Sequence, residues 1–486
     1  MKYIIYLLIL QFVLCLGLKH NPYKRNLELL LQEPSAGAYS KQDAAAVEEL
    51  WLTQKIDHFD ELNNASWSMR YLRNAKYHKP QAAMYIVVGG EWTITPGLLS
   101  TGLAHDMAVE NAGMLYYTEH RYYGESWPHG AQSLQLQQLQ HLSLRQALAD
   151  LAHFIRYQKA QHSELQHSKV ILIGGSYAGS MASWMTQLYP ELISASWASS
   201  APLLAKADFY EYMQLANESI QLLYGANCTQ RIELGLQHLV ALFEANETKT
   251  LLQQLNACSN FRPSSELDRL TFFAGINNYF ALLVQSYSHY IPSLCETLLT
   301  LPVEPQQSLL ALLELLYAAD YHCQDFSYDS MLQLFSAASE PTTGTRAWFY
   351  QTCNEFGWYT ITQSAANGNV SFGNQLPLWY FERLCRDAFG AGQTPTLLAA
   401  SIAQLNAQFC GHGFDQSVRY RQLLFTHGQL DPWRTLGKQL GRQALVIPGY
   451  SHCEDLASIN VRDSVAMNLA KLRVMSFLRG RIQPDK

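Results

Sequence analysis

The chain has 486 residues, 48 % apolar and 15 % charged, with 34 basic and 40 acidic side chains and a net charge of −6. Soluble globular proteins carry about 25 % charged residues, so this composition excludes a disordered chain. No Lys/Arg-rich run occurs anywhere, which excludes a nucleic-acid binder. At roughly 100–200 residues per domain, the length suits two or three domains, or one large domain carrying an insertion.

In chain order, the first signal is Lys2 ahead of residues 3–16, apolar apart from Gln11, with small Gly17 behind them. A basic start, a short apolar segment and a small residue predict a secretory signal peptide over 1–17. The run is shorter than the ~20 residues that span a bilayer, and no later segment reaches that length. The chain freed of its signal is therefore expected to be soluble and unattached to a membrane, and to end up extracellular or lysosomal.

Residues 82–88 (AAMYIVV) are continuously apolar and stop at Gly89-Gly90, as a buried parallel strand does. Residues 113–118 (GMLYYT) and 169–173 (KVILI) read the same way. Between them a helix starts at Ser143. Gln146, three residues on, completes a capping-box pattern, and Leu144, Ala147, Leu148, Leu151, Phe154 and Ile155 share one face. Strands alternating with helices predict an open α/β sheet. Short strands at 422–425 and 444–447 resume it near the C-terminus.

Residues 206–415 differ. Leu-rich helical periodicity marks 232–243 and 306–319, and seven of the eight cysteines outside the signal lie here. The predicted organisation is a sheet domain in two parts, 45–205 and 416–480, with a mostly helical, disulfide-bonded cap domain over 206–415 between them. The eight cysteines (Cys228, Cys258, Cys295, Cys323, Cys353, Cys385, Cys410 and Cys453) are even in number and read as a disulfide set, Cys453 included. None has Cys-x-x-Cys spacing, and His322-Cys323 and His412-Gly413-Phe414-Asp415 lack ligand spacing, so no metal and no cofactor is predicted. Sequons at Asn64, Asn217, Asn227, Asn246 and Asn369 fit passage through the secretory pathway.

The chemistry centres on Gly174-Gly175-Ser176-Tyr177-Ala178-Gly179, directly after a strand and before a helical pattern. A tight strand-to-helix turn of small residues lifts a serine hydroxyl above a sheet, which is the nucleophile-elbow arrangement. The usual final glycine is Ala178 here, still small enough for the turn. A serine needs a base, oriented by an acid, and α/β-hydrolases supply them in the order Ser, Asp, His. Asp431 follows the strand at 422–425, and His452 follows the strand at 444–447, so Ser176, Asp431 and His452 form the candidate triad. The inserted helical block accounts for the long separation between Ser176 and Asp431. Two backbone N–H groups should face the developing oxyanion: that of Tyr177, and one from the loop after residues 82–88, Gly90 ahead of Glu91.

These residues also carry a family resemblance. The chain resembles the serine peptidase family of lysosomal Pro-Xaa carboxypeptidase, dipeptidyl peptidase II and thymus-specific serine protease. The matching blocks include 54–59 (QKIDHF), 88–91 (VGGE), 119–126 (EHRYYGES), 146–150 (QALAD), 174–179, 198–202 (ASSAP), 348–355 (WFYQTCNE), 428–433 (GQLDPW) and 449–455 (GYSHCED). Residues 350–353 and 451–453 are most similar to the thymus-specific member. The resemblance implies an α/β-hydrolase core with a helical cap, the same triad, and hydrolysis of short peptides at one end, commonly after proline. It also implies Trp433 and Glu91 as substrate-binding residues. An indole face stacks well on a proline ring, although Trp433 could equally be packing in a core.

His120 reads as structural, and Glu119, Arg121 and Glu125 as a paired network. Four alternatives stay open at this point: exopeptidase action from either end, a serine endopeptidase, an esterase on the same fold, and a non-catalytic α/β-hydrolase used for binding. The oligomeric state is open too, a homodimer included.

Overall fold

The computed structural model describes residues 21–317, 322–338, 344–364, 368–369, 371–409 and 421–482. The signal peptide, Cys410 and residues 412–415 lie outside these. The chain divides into two compact units. Among the described residues, one takes those from 21 to Leu30 with Lys206–Ala337 and Gly357–Pro395; the other takes those within Leu31–Ala205, Ala338–Phe356 and Thr396–Lys486. Residues 338–356 and 396–409, read above with the helical block, thus pack in the sheet unit.

The sheet unit is built on eight strands: β1 (Val47–Lys55), β2 (Ser66–Asn74), β3 (Met84–Val88), β4 (Met114–Thr118), β5 (Val170–Gly175), β6 (Ala195–Ser199), β7 (Leu423–Gly428) and β8 (Ala444–Ile447). Their order is β1-β2-β4-β3-β5-β6-β7-β8. β2 runs antiparallel to β1 and β4, and every other pairing is parallel. This is the open α/β sheet that the alternating pattern predicts. Every residue of β3, β4 and β5 is buried, as parallel strands covered on both faces require.

The covering helices include α1 (Leu103–Glu110), α2 (Leu144–Gln161), α3 (Ser176–Leu188), α4 (Thr345–Gln351), α5 (Pro395–Phe409) and α6 (Val465–Ile482). α3 packs on β5 and β6, and α6 on β6, β7 and β8. At the start of α2 the Ser143 hydroxyl accepts from Gln146 N–H, as predicted. The reciprocal half of the capping box is not made. Instead the Gln146 side chain takes His58 N–H at 3.0 Å and donates to Asp57 at 2.6 Å, tying α2 to the chain after β1. The charged set pairs differently from expectation too. Glu119 binds Arg70 in a fork at 2.6 and 3.1 Å, while Arg121 binds Asp150 at 2.7 and 2.9 Å. Each buried charge thereby gains two charge-assisted hydrogen bonds.

The helical unit holds the helices Glu211–Leu223, Ala226–Glu244, Glu266–Ser286, Ile291–Thr300, Ser308–Tyr317, Tyr328–Ser336 and Leu378–Phe389. Phe243, Phe261, Phe272, Phe273 and Phe326 pack edge-on and tilted within it. Cys228–Cys295 and Cys258–Cys323 are disulfides, and Cys353 and Cys385 are disulfide-bonded as well. Cys453 is a buried free thiol, which corrects the expectation that it is a disulfide partner. It sits in the sheet unit against Gly175, where a Cβ would lie 3.0 Å from its Sγ. Spacing along the chain carries no sign of that placement. Among the described residues no helix is long and apolar enough to cross a membrane.

The Cys258–Cys323 bridge closes a separation of 65 residues. On the loop-entropy account, replacing both cysteines by serine should lower the unfolding free energy of the helical unit by about 4 kcal/mol. Guanidinium denaturation followed by circular dichroism checks this; an unchanged midpoint would show that the bridge constrains little.

Candidate active site

Ser176 stands where β5 ends and α3 begins, in the left-handed backbone region at φ +56°. A non-glycine residue is rarely held there unless its surroundings force it. The forcing contacts are backbone on backbone. A Cβ on Gly174 would lie 2.2 Å from the Ala178 carbonyl oxygen, and one on Gly179 would lie 2.8 Å from the Gly174 oxygen and 3.0 Å from that of Ser199. The first turn of α3 therefore presses on both β5 and β6. Ala178 meets Gly174 through its own carbonyl, so its methyl is accommodated where the usual motif has glycine.

Asp431 and His452 follow the adjacent parallel strands β7 and β8. Asp431 is fully buried, and its Oδ1 lies 2.9 Å from His452 Nδ1. That is an ion-pair distance, although the ring N–H is not squarely aimed at the oxygen. Oδ1 also accepts the Trp433 N–H at 3.0 Å, capping the short helix Pro432–Leu436. Burial pushes the His452 pKa down, but the negative charge of Asp431 and the neighbouring Cys453 outweigh it, and the ring is held well above its ordinary value. The loop carrying His452 is seated by Gly428 at the end of β7, where a Cβ would lie 2.2 Å from the Ser451 oxygen and 2.4 Å from that of Tyr450.

Further contacts bring these segments together. Cys453, at φ +59°, donates its N–H to the hydroxyl of Ser200, which follows β6 and is itself at φ +52°. The Cys453 Sγ packs against Gly175, next to Ser176. Asp455 accepts the Ser199 hydroxyl at 2.5 Å.

Glu91 follows β3 and is 5 % exposed, with Oε2 lacking a hydrogen-bond partner. Burial raises its carboxyl to about 7, against a lowering pull from His452. Gly90 packs on the Trp92 ring. Trp433 is half-buried. His120 is buried, with Nε2 3.2 Å from the Tyr177 hydroxyl. The sequence reading gave no role to Gln351, Tyr123 or Glu355, which meet behind Tyr177. Only the blocks 119–126 and 348–355 hinted at them.

The sequence matches the family described as serine carboxypeptidase S28 over residues 54–474. It is 30 % identical to mouse thymus-specific serine protease over 460 residues, covering 90 % of this chain and 88 % of that one. The human thymus-specific serine protease is 30 % identical over 461 residues, covering 90 % and 87 %. Human lysosomal Pro-X carboxypeptidase is 26 % identical over 443 residues, covering 87 % and 86 %.

The contact at Gly428 generates a prediction. A Gly428→Ala change must push residues 450–452 away and carry the His452 ring off Asp431. A displacement near 1 Å at a reacting group costs on the order of a hundredfold in rate, and a kcat loss of that order is expected in a folded protein. Gly480→Ala, where nothing lies within 4 Å of the added methyl, should keep full turnover. Steady-state kinetics beside thermal melts of both variants decide it.

Proposed function

Because the chain belongs to the serine carboxypeptidase S28 family and is a serine peptidase, we propose that it is an exopeptidase acting on short peptides, commonly after proline, through Ser176, Asp431 and His452. The observation that supports the use of these three residues is the 2.9 Å approach of His452 Nδ1 to the buried Asp431 carboxylate, at the sheet edge where β5 ends and the strained Ser176 begins α3. In the reaction, Ser176 Oγ attacks the scissile carbonyl and His452 Nε2 takes its proton. The same imidazolium then protonates the leaving amine, while Asp431 holds the tautomer and stabilises the charge. The N–H groups of Tyr177 and Gly90 receive the oxyanion. Trp433 offers an indole face to a proline ring, and the Glu91 carboxyl meets a polar group of the substrate.

The same reading places the chain in the secretory pathway, with the extracellular space or the lysosome as its destination. Asn64, Asn227 and Asn246 are exposed and are the expected glycan sites; Asn217 is half-buried on its helix, and the side chain of Asn369 is outside the described residues. The higher identity to thymus-specific proteases than to Pro-X carboxypeptidases keeps endopeptidase action as a second reading.

Short peptides with free and blocked termini, offered at about pH 5 and about pH 7 on either side of an ordinary histidine titration, separate these readings. Release of an N-terminal dipeptide, lost when the amine is blocked, identifies a dipeptidyl peptidase. Release of a residue after proline, lost on C-terminal amidation, identifies a carboxypeptidase. Cleavage of doubly blocked peptides would replace the exopeptidase reading with an endopeptidase. Ser176→Ala should abolish all turnover; persistence of turnover would remove Ser176 from the mechanism.

The pH profile follows from the raised His452. The base must be neutral to accept the serine proton, so kcat/KM should fall as pH drops through the His452 pKa, with that limb above the ordinary value of about 6.5. Asp431→Asn removes the charge that raises it, and the limb should move to lower pH while kcat falls by orders of magnitude. An unmoved limb would mean that another group titrates.

A further inference from the structure

The hydrogen bonds behind the residue after Ser176 have a single self-consistent set of directions. His120 sets it. Its Nδ1 lies 2.6 Å from the Arg121 carbonyl oxygen, so that nitrogen carries a proton. Burial pushes the ring down to about 4, which leaves Nε2 as a bare acceptor. The Tyr177 hydroxyl, 3.2 Å away, therefore donates to Nε2. Its oxygen is then free to accept from Gln351 Nε2 at 3.1 Å. The second hydrogen of the same amide goes to Glu355 Oε2 at 3.4 Å, and the amide oxygen receives the Tyr123 hydroxyl at 2.5 Å. Gln351 is completely buried and uses every donor it has.

The backbone supports this placement. Gln351 ends α4, and a single π turn over Thr352–Phe356 follows. Such wide turns are rare and cluster at functional sites. Here the turn carries Glu355 round to accept the Leu144 N–H at 2.9 and 3.1 Å, at the first turn of α2. The Tyr177 ring is also tilted against Trp348 and Phe356, with centroids 5.5 and 5.3 Å away. The phenol is thus fixed at its tip by Gln351 and His120 and on its faces by aromatic rings.

We propose that Gln351 is a positioning residue for acyl transfer: its amide locks the Tyr177 phenol and so aims the Tyr177 backbone N–H at the oxyanion. This rests on the reading of Ser176 as nucleophile and of the Tyr177 N–H as an oxyanion donor. Gln351 touches no reacting atom and acts only through Tyr177.

The test is a double-mutant cycle on the full chain with Gln351→Leu, Tyr177→Phe and the pair, with active sites counted by fluorophosphonate titration. Tyr177→Phe keeps the backbone N–H and removes only the locked hydroxyl. Losing an oxyanion donor outright costs about a hundredfold to a thousandfold in kcat, so misaiming one should cost about tenfold. Each single variant should show that loss per titrated site with KM within about twofold, and the pair should lose no more than either alone, because the bond the two share is the Gln351–Tyr177 one. A lower melting temperature with wild-type kcat per site would make Gln351 merely structural and overturn the proposal, as would losses that multiply in the pair. If Gln351→Leu does not fold, Tyr177→Phe decides alone: tenfold loss supports the proposal and full turnover overturns it. Ser176→Ala, run in parallel, separates the two levels, since turnover in that variant would defeat the underlying reading whatever the cycle shows.

Discussion

Backbone packed directly on backbone, with no space for a Cβ, is the constraint on which this site depends. Gly174 meets the Ala178 carbonyl, Gly179 meets the Gly174 and Ser199 carbonyls, and Gly428 meets the carbonyls of Ser451 and Tyr450. These contacts join the ends of β5, β6 and β7 to the first turn of α3 and to the loop bearing His452. Three non-glycine residues in the left-handed region (Ser176, Ser200 and Cys453) sit among them. Each such conformation costs of order 1–3 kcal/mol and persists only where the surroundings over-determine it. Here the strained residues hold one another: the Cys453 N–H is received by Ser200, and the Cys453 sulfur packs on the glycine before Ser176.

Charge is distributed to match. The buried pairs Arg70–Glu119 and Arg121–Asp150 are forked and close, with Glu49 also on Arg70 and His58 also on Asp150. Asp431 is treated differently. It is fully buried, Oδ2 has no hydrogen-bond partner, and its described ionic contact is His452. A carboxylate left without a guanidinium or ammonium directs its field onto the imidazole, and that field overcomes the burial that would otherwise keep the ring neutral. In low dielectric such an interaction is worth far more than at the surface. Burial also raises the carboxyl of Glu91 to about 7, so its charge near that ring is only partial at neutral pH.

The sheet core was legible because β3, β4 and β5 are buried on both faces, and apolar runs that short, rich in β-branched and aromatic residues, suit a strand better than a helix. β1, β2 and β6 were not. β1 and β2 pair antiparallel at the sheet edge, with exposed and charged residues scattered through them, so their periodicity is weak. β6 (ASWAS) is short, with small residues on either side of a single Trp197. At the candidate site, Ser176, Asp431 and His452 could be nominated because each follows a strand in a fixed chain order. Cys453 could not be read as a free thiol, since pairing depends on spatial proximity that spacing does not encode. The buried contacts of Gln351 were hidden for the same reason. Its partners Tyr123 and Tyr177 lie far back in the chain, and nothing local distinguishes a buried glutamine from a solvated one.

That hidden residue shows how the sheet unit is put together. The elbow forms from sequence neighbours, β5 and α3 with Ser176 between them. Asp431 and His452 arrive from beyond a long helical insertion. The backing of Tyr177 comes from a third stretch, Ala338–Phe356, which returns to the sheet unit between two segments of the helical one. The turn alone supplies a serine in a strained conformation; on the proposed mechanism it can act only when both returns are in place. The closure entropy of such long loops grows slowly with length, so a large insertion between elbow and acid adds little to the cost of closing the chain. What it demands is accuracy at the points of return, and that is where the glycines without room for a Cβ and the fully hydrogen-bonded amide of Gln351 are found.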